Sequence, residues 1–532
     1  MKVVLVCALL QVAAAQLSWP EQYYVTGSVI LPYGDIVEPF EGWVDMSNGM
    51  SRLDTYGGVS KVINRGDSNT MFKIVPETTQ DFANRITCFN IPGSSDAPIT
   101  AQSLLPNASF YTYVEDLVYE GIDVALYVSS FREEKRDNNY TLLVRKDNGF
   151  PVVLHFVGYD RLFGSHYDEY IILYSSFVPN VDSSAFDIEK SFSCIPFPGP
   201  GITSPMSENL FFEFFGASGY KDAQKTAHLD REFDSFKAKH RKTYDDRTEE
   251  SRRKGHFTHN YRYIQSMNRR QLSFKLAVNH LADLSDSEIG RMRGYRYNPA
   301  TSRDNLYTST KQIPDEVNWW LAGAVTPVKD QGICGSCWSF GTTGTIEGSL
   351  FIKTNYLVPL SEQALVDCSW GYGNNGCDGG ESERSYQWII DNKCIPTEVS
   401  YGQYLMEDGI CHFNQSVCGA MLSAYANTKS GSIPDLLAAI YEKGPISVAI
   451  DASHRSFSFY SNGVYYEPTC GNTTDALDHQ VLAVGYGTYL GEPYILVKNS
   501  WSTHWGNDGY VLMSQKNNNC GIATDASFAT IS

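Results

Sequence analysis

The chain lacks the positive charge that nucleic acid requires. Its 532 residues carry 42 Lys and Arg against 60 Asp and Glu, a net charge of −18, whereas phosphate recognition needs a basic face. After the first dozen residues no run reaches the roughly 18 apolar residues that cross a bilayer, so no membrane span is expected there. Charged residues are sparse for a disordered chain at 19 %, while hydrophobic residues at 42 % and aromatics at 13 % suffice for packed cores. The length suits about three or four domains. Metal spacing is also missing. Cys334 and Cys337 form the one C-x-x-C pair, and His155 and His166, the two histidines of the first 220 residues, have no ligand-like separation.

What is present begins with a leader. Lys2 precedes the apolar run Val3 to Val12, and Ala13-Ala14-Ala15 supplies the small residues of a cleavage site, so residues 1–15 read as a signal peptide. Sequons at Asn107, Asn139, Asn414 and Asn472 fit a secretory route to the lysosome or the cell exterior. Cysteine counting agrees with an oxidising compartment. Cys7 leaves with the leader; Cys88 and Cys194 then stand alone in the first half and can form one disulfide, and nine more lie between Cys334 and Cys520, enough for four disulfides and one odd thiol. That odd thiol is a candidate nucleophile.

Charge divides the chain into blocks: −13 over 1–220, +7 over 221–300, +1 over 301–312 and −13 over 313–532. Residues 16–220 read as an antiparallel all-β domain. Runs such as Tyr140-Thr-Leu-Leu-Val, Val152-Val-Leu-His-Phe and Tyr170-Ile-Ile-Leu-Tyr are separated by turn chemistry such as Asp147-Asn-Gly. The aromatics are expected to pack in a sheet sandwich or half-barrel. Residues 221–300 are helical in pattern. Glu249, Arg253, Phe257, Asn260, Ile264 and Asn268 recur at helical spacing and share one face.

That mixed polar and apolar stripe matches the motif E-x3-R-x3-F-x2-N-x3-I-x3-N, and the region resembles the inhibitory pro-segment of papain-like cysteine proteases. The second motif of that segment, G-x-N-x-F-x-D, is matched at Asn279 and Asp283 but carries Ala277 and Leu281 in place of Gly and Phe. Residues 301–312 would then be a processing linker and 313–532 the protease.

In Gln331-Gly-Ile-Cys-Gly-Ser-Cys-Trp, a lone C-x-x-C is compatible with a redox pair or half a zinc site, but a second ligand cluster and a βαβ setting are both absent. Cys337 instead opens a helix-compatible run to about Lys353, where the dipole favours thiolate. His479, at the head of the β-rich run after Leu477-Asp478, is the proton partner. Asn499 offers an amide to orient it, and Trp501 an indole to shield that bond.

The resemblance covers about 228–532 and implies an α+β, two-lobed protease, a helical lobe against a β-barrel lobe, made as a zymogen that needs no cofactor. It implies Cys337 as nucleophile, His479 as general base and acid, Asn499 as orienter and Gln331 as oxyanion donor. It also implies disulfides Cys334–Cys377, Cys368–Cys411 and Cys470–Cys520, which leave Cys394 and Cys418 as an extra pair. Substrate would lie along Gly379, Gly380, Asp478 and Trp501, with an S2 pocket of Glu381, Ser382, Ala449, Leu477 and Asp525. Two carboxylates there predict acceptance of Arg or Lys as well as apolar side chains. Ser502 and His504 replace residues usually Gly and should reshape the cleft rim.

The expected activity is peptide-bond hydrolysis by an endopeptidase, with proteins and peptides as substrates and the pro-segment as intramolecular inhibitor. The opposed charges of pro-segment and enzyme suggest acid-triggered processing, with cuts near 205–220 and 300–313. The three-part layout resembles two-chain arthropod proteinases, in which the N-terminal chain could be retained. The alternatives are a dipeptidyl peptidase with an N-terminal exclusion domain, for which no amine anchor can be placed, and a non-catalytic protein whose N-terminal domain binds a ligand.

Overall fold

The computed structural model describes residues 17–198, Phe214 and 223–532, except Gln80, Asp96, Glu134, Phe163, Thr310, Asn414 and Gln415. The signal peptide, the proposed cut region 205–220 apart from Phe214, and the sequon residue Asn414 lie outside the described residues. Two compact units result: one of residues up to 78, 84–235 and 269–271, the other of 79–83, 236–268 and 272–532.

The first unit is one twelve-stranded sheet. Its strands are β1 (Gln22–Leu31), β2 (Ile36–Asp45), β3 (Met50–Thr55), β4 (Ser60–Arg65), β5 (Thr70–Glu77), β6 (Arg85–Pro92), β7 (Thr112–Tyr119), β8 (Ile122–Glu133), β9 (Arg136–Arg145), β10 (Pro151–Asp160), β11 (Ser165–Val178) and β12 (Ile195–Pro196). The order is β12-β6-β5-β4-β3-β2-β1-β11-β10-β9-β8-β7. Every pairing is antiparallel except β12 with β6. In β1 the alternation of half-exposed and buried residues is unbroken from Gln22 to Leu31, the signature of a strand with one face covered.

The aromatics stack along this single sheet rather than between two: Tyr140 on Phe156 at 4.7 Å and Phe156 on Tyr170 at 4.9 Å. Part of the covered face lies under the irregular segment after β6. Leu104 there is buried so tightly that a Cβ on Gly42 would sit 1.8 Å from its methyl group, and its N–H donates to Tyr23 Oη at 2.9 Å. The Cys88–Cys194 disulfide ties β6 to the residue just before β12.

In the second unit, α1 (Ala223–His240, of which 236–240 belong here) leads into α2 (Arg247–Arg269) and α3 (Asp286–Arg291). The stripe read from sequence does its work through α2. Arg253 binds Glu249 at 2.6 Å and grips Glu288 with two bonds of 2.8 and 2.9 Å. Asn260 donates to the carbonyls of Ala282 and Leu284, and Asn268 exchanges two hydrogen bonds with Leu276. Phe257 and Ile264 are buried. The apolar members thus form the core, and the polar ones fasten the chain that follows the helix.

Three further helices, α4 (Cys337–Thr354), α5 (Glu362–Cys368) and α6 (Ser382–Asn392), gather around Trp338, Leu365, Tyr386 and Trp388 to form the helical lobe. Facing them is a sheet that includes β13 (Phe274–Leu276), β14 (Leu306–Tyr307), β15 (Leu422–Thr428), β16 (Ile446–Ile450), β17 (Tyr460–Tyr465), β18 (His479–Tyr489), β19 (Glu492–Lys498), β20 (Tyr510–Ser514) and β21 (Ala526–Ile531). They lie in the order β13-β17-β20-β19-β18-β16-β21-β15-β14, with Val317–Asn318 beside β18. Both end strands, β13 and β14, come from residues ahead of 313. Helix α4 packs on β18, which brings the N-terminus of one element to the start of the other.

Candidate active site

Cys337 is the first residue of α4 and His479 the first of β18, so the packing of these two elements joins residues 142 positions apart. Cys337 is the one free cysteine among the described residues and is fully buried. The other cysteines of the second unit are paired as Cys334–Cys377, Cys368–Cys411, Cys394–Cys418 and Cys470–Cys520. His479 Nε2 lies 2.8 Å from Asn499 Oδ1, which also accepts the Ser500 N–H at 2.8 Å. The Trp501 ring lies 4.7 Å from the imidazole, and Phe457 packs 5.6 Å from that indole. His479 Nδ1 is buried with no hydrogen-bond partner, leaving one nitrogen uncommitted. Gln331 is held by Ser500 Oγ, which donates to its Oε1 at 2.6 Å, so its Nε2 is presented in a fixed direction.

Residues 292–303 lie along these groups. The Met292 carbonyl accepts from Gln331 Nε2 at 2.7 Å, and Gly294 N–H donates to Cys337 Sγ at 3.3 Å. Gly294 and Arg296 exchange backbone hydrogen bonds of 2.9 Å with Gly380, and Tyr295 N–H donates to the Asp478 carbonyl at 2.9 Å. Residue 294 must be glycine, because a Cβ there would lie 1.7 Å from the Gly335 carbonyl oxygen. The Tyr295 side chain packs with Ala449 and Leu477, and its hydroxyl donates to Asp525. Arg293 pairs with Asp478 at 2.9 Å.

This covering segment changes the chemistry beneath it. A helix N-terminus should favour thiolate, yet burial pushes the Cys337 thiol up to about 11, against the donors from Gln480 and Gly294 that lower it. Burial likewise lowers His479 to about 4, although the Asn499 bond raises it. Both groups are therefore neutral at pH 7. A thiolate–imidazolium pair is disfavoured here because water, which would solvate either charge, is excluded.

The remaining expected residues separate into two sets. Glu381 faces the covering segment: it accepts from Asn298 N–H at 3.2 Å and from Thr301 Oγ1, and pairs with Arg303 at 2.9 Å and Arg384 at 3.0 Å. Asp525 meets Arg303 at 3.0 Å. The Ser382 hydroxyl is instead bound to Thr342 and Ser447, behind α6. Glu383 joins the carboxylates, and the sequence reading passed over it. Its signal was the Glu381-Ser-Glu run, in which residues two apart at a helix start can flank one site. Ser502 adopts φ +66°, the left-handed backbone suited to glycine, and His504 meets His240 and His280 at ring distances of 5.3 and 6.0 Å.

The match to known proteins follows this division. Residues 313–530 match the papain family cysteine protease model, and 233–289 match the cathepsin propeptide inhibitor domain (I29). Digestive cysteine proteinase 1 of Homarus americanus is 47 % identical over 308 residues, which span 56 % of this chain and 94 % of that protein. The chain belongs to the papain family of cysteine proteases. Cathepsin L1 of Drosophila melanogaster is 45 % identical over 317 residues, covering 56 % of this chain and 85 % of that one. Digestive procathepsin L 3 from Tenebrio molitor larval midgut superposes with a TM-score of 0.52 at 38 % identity, covering 57 % of this chain and 98 % of that one. The protein is thus a cathepsin L-like cysteine proteinase in zymogen form, preceded by a large all-β region. Among the described residues no helix is long and apolar enough to cross a membrane.

Proposed function

We propose that Cys337 is the nucleophile, His479 the general base and acid, Asn499 the residue that orients the imidazole, and Gln331 with the Cys337 N–H the oxyanion donors. The observation that carries this reading is the seating of 292–294. A carbonyl rests on Gln331 Nε2 and an N–H on Cys337 Sγ, where a scissile peptide would place its reacting atoms. Once the segment leaves, solvation allows the proton to pass from sulfur to His479. Thiolate attack on the carbonyl carbon forms the S–C bond and places the oxyanion on Gln331. Collapse breaks the C–N bond as His479 delivers its proton to the leaving amine. A water, deprotonated by His479, then cleaves the thioester to release carboxylate and restore the thiol.

The protein acts as an endopeptidase on protein and peptide chains, with S2 carboxylates Glu381 and Asp525 drawing Arg or Lys besides apolar side chains. It is released at acidic pH by cuts near 205–220 and 300–313, which would leave an N-terminal chain whose retention co-purification measures. Five disulfides support passage through the secretory pathway, to the lysosome or outside. An epoxide that alkylates active-site thiols tests the core of the reading. Acid-treated wild type should label and cleave peptides while Cys337→Ala does neither; labelling of Cys337→Ala would sink it.

A further inference from the structure

Glu383 is 2 % exposed, and its Oε2 has no hydrogen-bond partner. Its Oε1 accepts from Asn427 Nδ2 at 2.8 Å, and Asn427 also approaches Asp525 Oδ1 at 3.5 Å. An orphaned carboxylate oxygen in a sealed site is costly unless a cation stands near. One does. The Arg303 guanidinium presents Nη2 to Glu381 Oε2 at 2.9 Å, to Asp525 Oδ2 at 3.0 Å and to Glu383 Oε2 at 4.0 Å, and its Nε faces Asp525 Oδ1 at 3.4 Å. Its remaining amine, Nη1, donates to the carbonyls of Asn298 and Thr301, and its plane lies 4.4 Å from the Tyr297 ring. This is two-edged recognition that only a planar guanidinium fits.

The occupant belongs to the linker that processing removes. We infer that Glu383, with Glu381 and Asp525, forms a guanidinium site in the cleft, filled by Arg303 in the zymogen and by an arginine side chain of the substrate in the mature enzyme. The inference rests on the catalytic reading above and deepens its S2 pocket by one residue and one preference, arginine over lysine.

Charge supports the exchange. Arg303 and Arg384 oppose three carboxylates in the zymogen; without the linker, Arg384 alone remains. Glu383 already stands at about 7 with Arg303 in place, raised by burial and by Asp525 and Glu381 and lowered by Arg303 and Asn427. The neighbouring Tyr295, Tyr386 and Tyr425 hydroxyls are neutral in this range, each raised by burial. At pH 5 Glu383 therefore holds a proton, and an entering guanidinium must displace it as pH rises.

The experiment uses the matured protease and two fluorogenic peptides that differ only in Arg or Leu at the second residue before the cut bond. Each variant is normalised to its own Leu activity. In wild type the Arg/Leu ratio of kcat/KM should rise about fourfold from pH 5 to pH 7.5, and Lys in place of Arg should rise less. Glu383→Gln, already uncharged, should give a flat profile, and Glu383→Asp should restore part of the rise. A Glu383→Gln profile parallel to wild type overturns the inference, as does a Lys response equal to Arg. Failure to cleave either peptide, with no epoxide labelling, would instead overturn the catalytic reading.

Discussion

Acid should open this zymogen chiefly through histidine. His240 of α1, His280 between β13 and α3, and His504 of the protease domain meet with ring centroids 5.3 to 6.4 Å apart. Both ring nitrogens of His240 and Nδ1 of His280 are buried without hydrogen-bond partners. Burial lowers His280 to about 3, helped by Lys242, His240 and His504, and lowers His240 to about 4, with Lys239, His504 and Lys242 adding to the effect and Asp283 opposing it. Asp283 is itself tied to Lys242 at 2.8 Å and Tyr244 at 3.0 Å, and Asp330 faces His504.

A histidine whose docked pKa lies below its free value stabilises docking fully above the free value of about 6.5 and loses that stability as pH falls toward the docked one. From pH 7 to pH 5 the freed His280 takes up its proton while the docked one does not, which weakens docking by about 2 kcal/mol, or roughly 25-fold. His240, more open to solvent, adds less. The Arg253–Glu288 pair does not contribute in this window, because Glu288 is held at about 2 by the Arg253 and Ser285 hydrogen bonds, against the burial that raises it.

The assay is the rate of epoxide labelling of Cys337 in the full zymogen, as the ratio of variant to wild type at each pH, which cancels the thiol's own titration. His280→Gln should match wild type at pH 7 and label about ten- to thirty-fold more slowly at pH 5. A ratio unchanged between the two pH values refutes the reasoning.

Three other outcomes are expected. Asn499→Ala, which frees the imidazole to rotate, should lower kcat of the mature enzyme about a hundredfold with little change in KM; a KM effect alone would show that Asn499 binds substrate instead. Gly294→Ala forces a methyl against the Gly335 carbonyl, so docking should weaken by about 1–3 kcal/mol and the zymogen should show raised labelling at pH 7, whereas wild-type latency would contradict the geometry. Ser502→Gly relieves a left-handed backbone at φ +66° and should raise the Tm of the mature enzyme by about 2–4 °C, measured by thermal scanning; a lower Tm would count against strain there.

The residues proposed for catalysis were legible because each sits in its own local pattern: Cys337 before an apolar helix, His479 at the head of an apolar strand, and Asn499 two residues ahead of an indole. The stripe of α2 was legible for the same reason, since helical spacing needs no partner to be seen. What could not be read is pairing through space. Arg303 lies 222 residues from Asp525, and nothing near either one announces the other. His504 carries no local motif, and its neighbours His240 and His280 come from different segments. In the first unit the strands themselves could be read, but the sheet order could not, because β1 lies in the middle of the sheet between β2 and β11, a placement decided by long-range pairing.

The zymogen is restrained by two separable means. Occupancy is the first: the Met292 carbonyl, Gly294, Tyr295 and Arg303 cover the residues proposed for catalysis and substrate binding. The second is electrostatic, since the same cover keeps Cys337 and His479 neutral. Acid touches the first only at Glu383, which faces Arg303 and stands at about 7, while Arg303 keeps its bonds to Glu381 and Asp525. Protonating His479 would not create the thiolate, and the Met292, Gly294 and Gly380 contacts hold backbone groups that do not titrate. The point of leverage must therefore lie where burial has forced titratable groups to stay uncharged. Among the pro-segment contacts that place is the His240, His280 and His504 cluster, some distance along the chain from the cleft-filling residues. Acid release would then begin at the globular part of the pro-segment and reach the cleft second. That order would let a segment seated on Gln331 and Cys337 be displaced before the enzyme has any activity of its own.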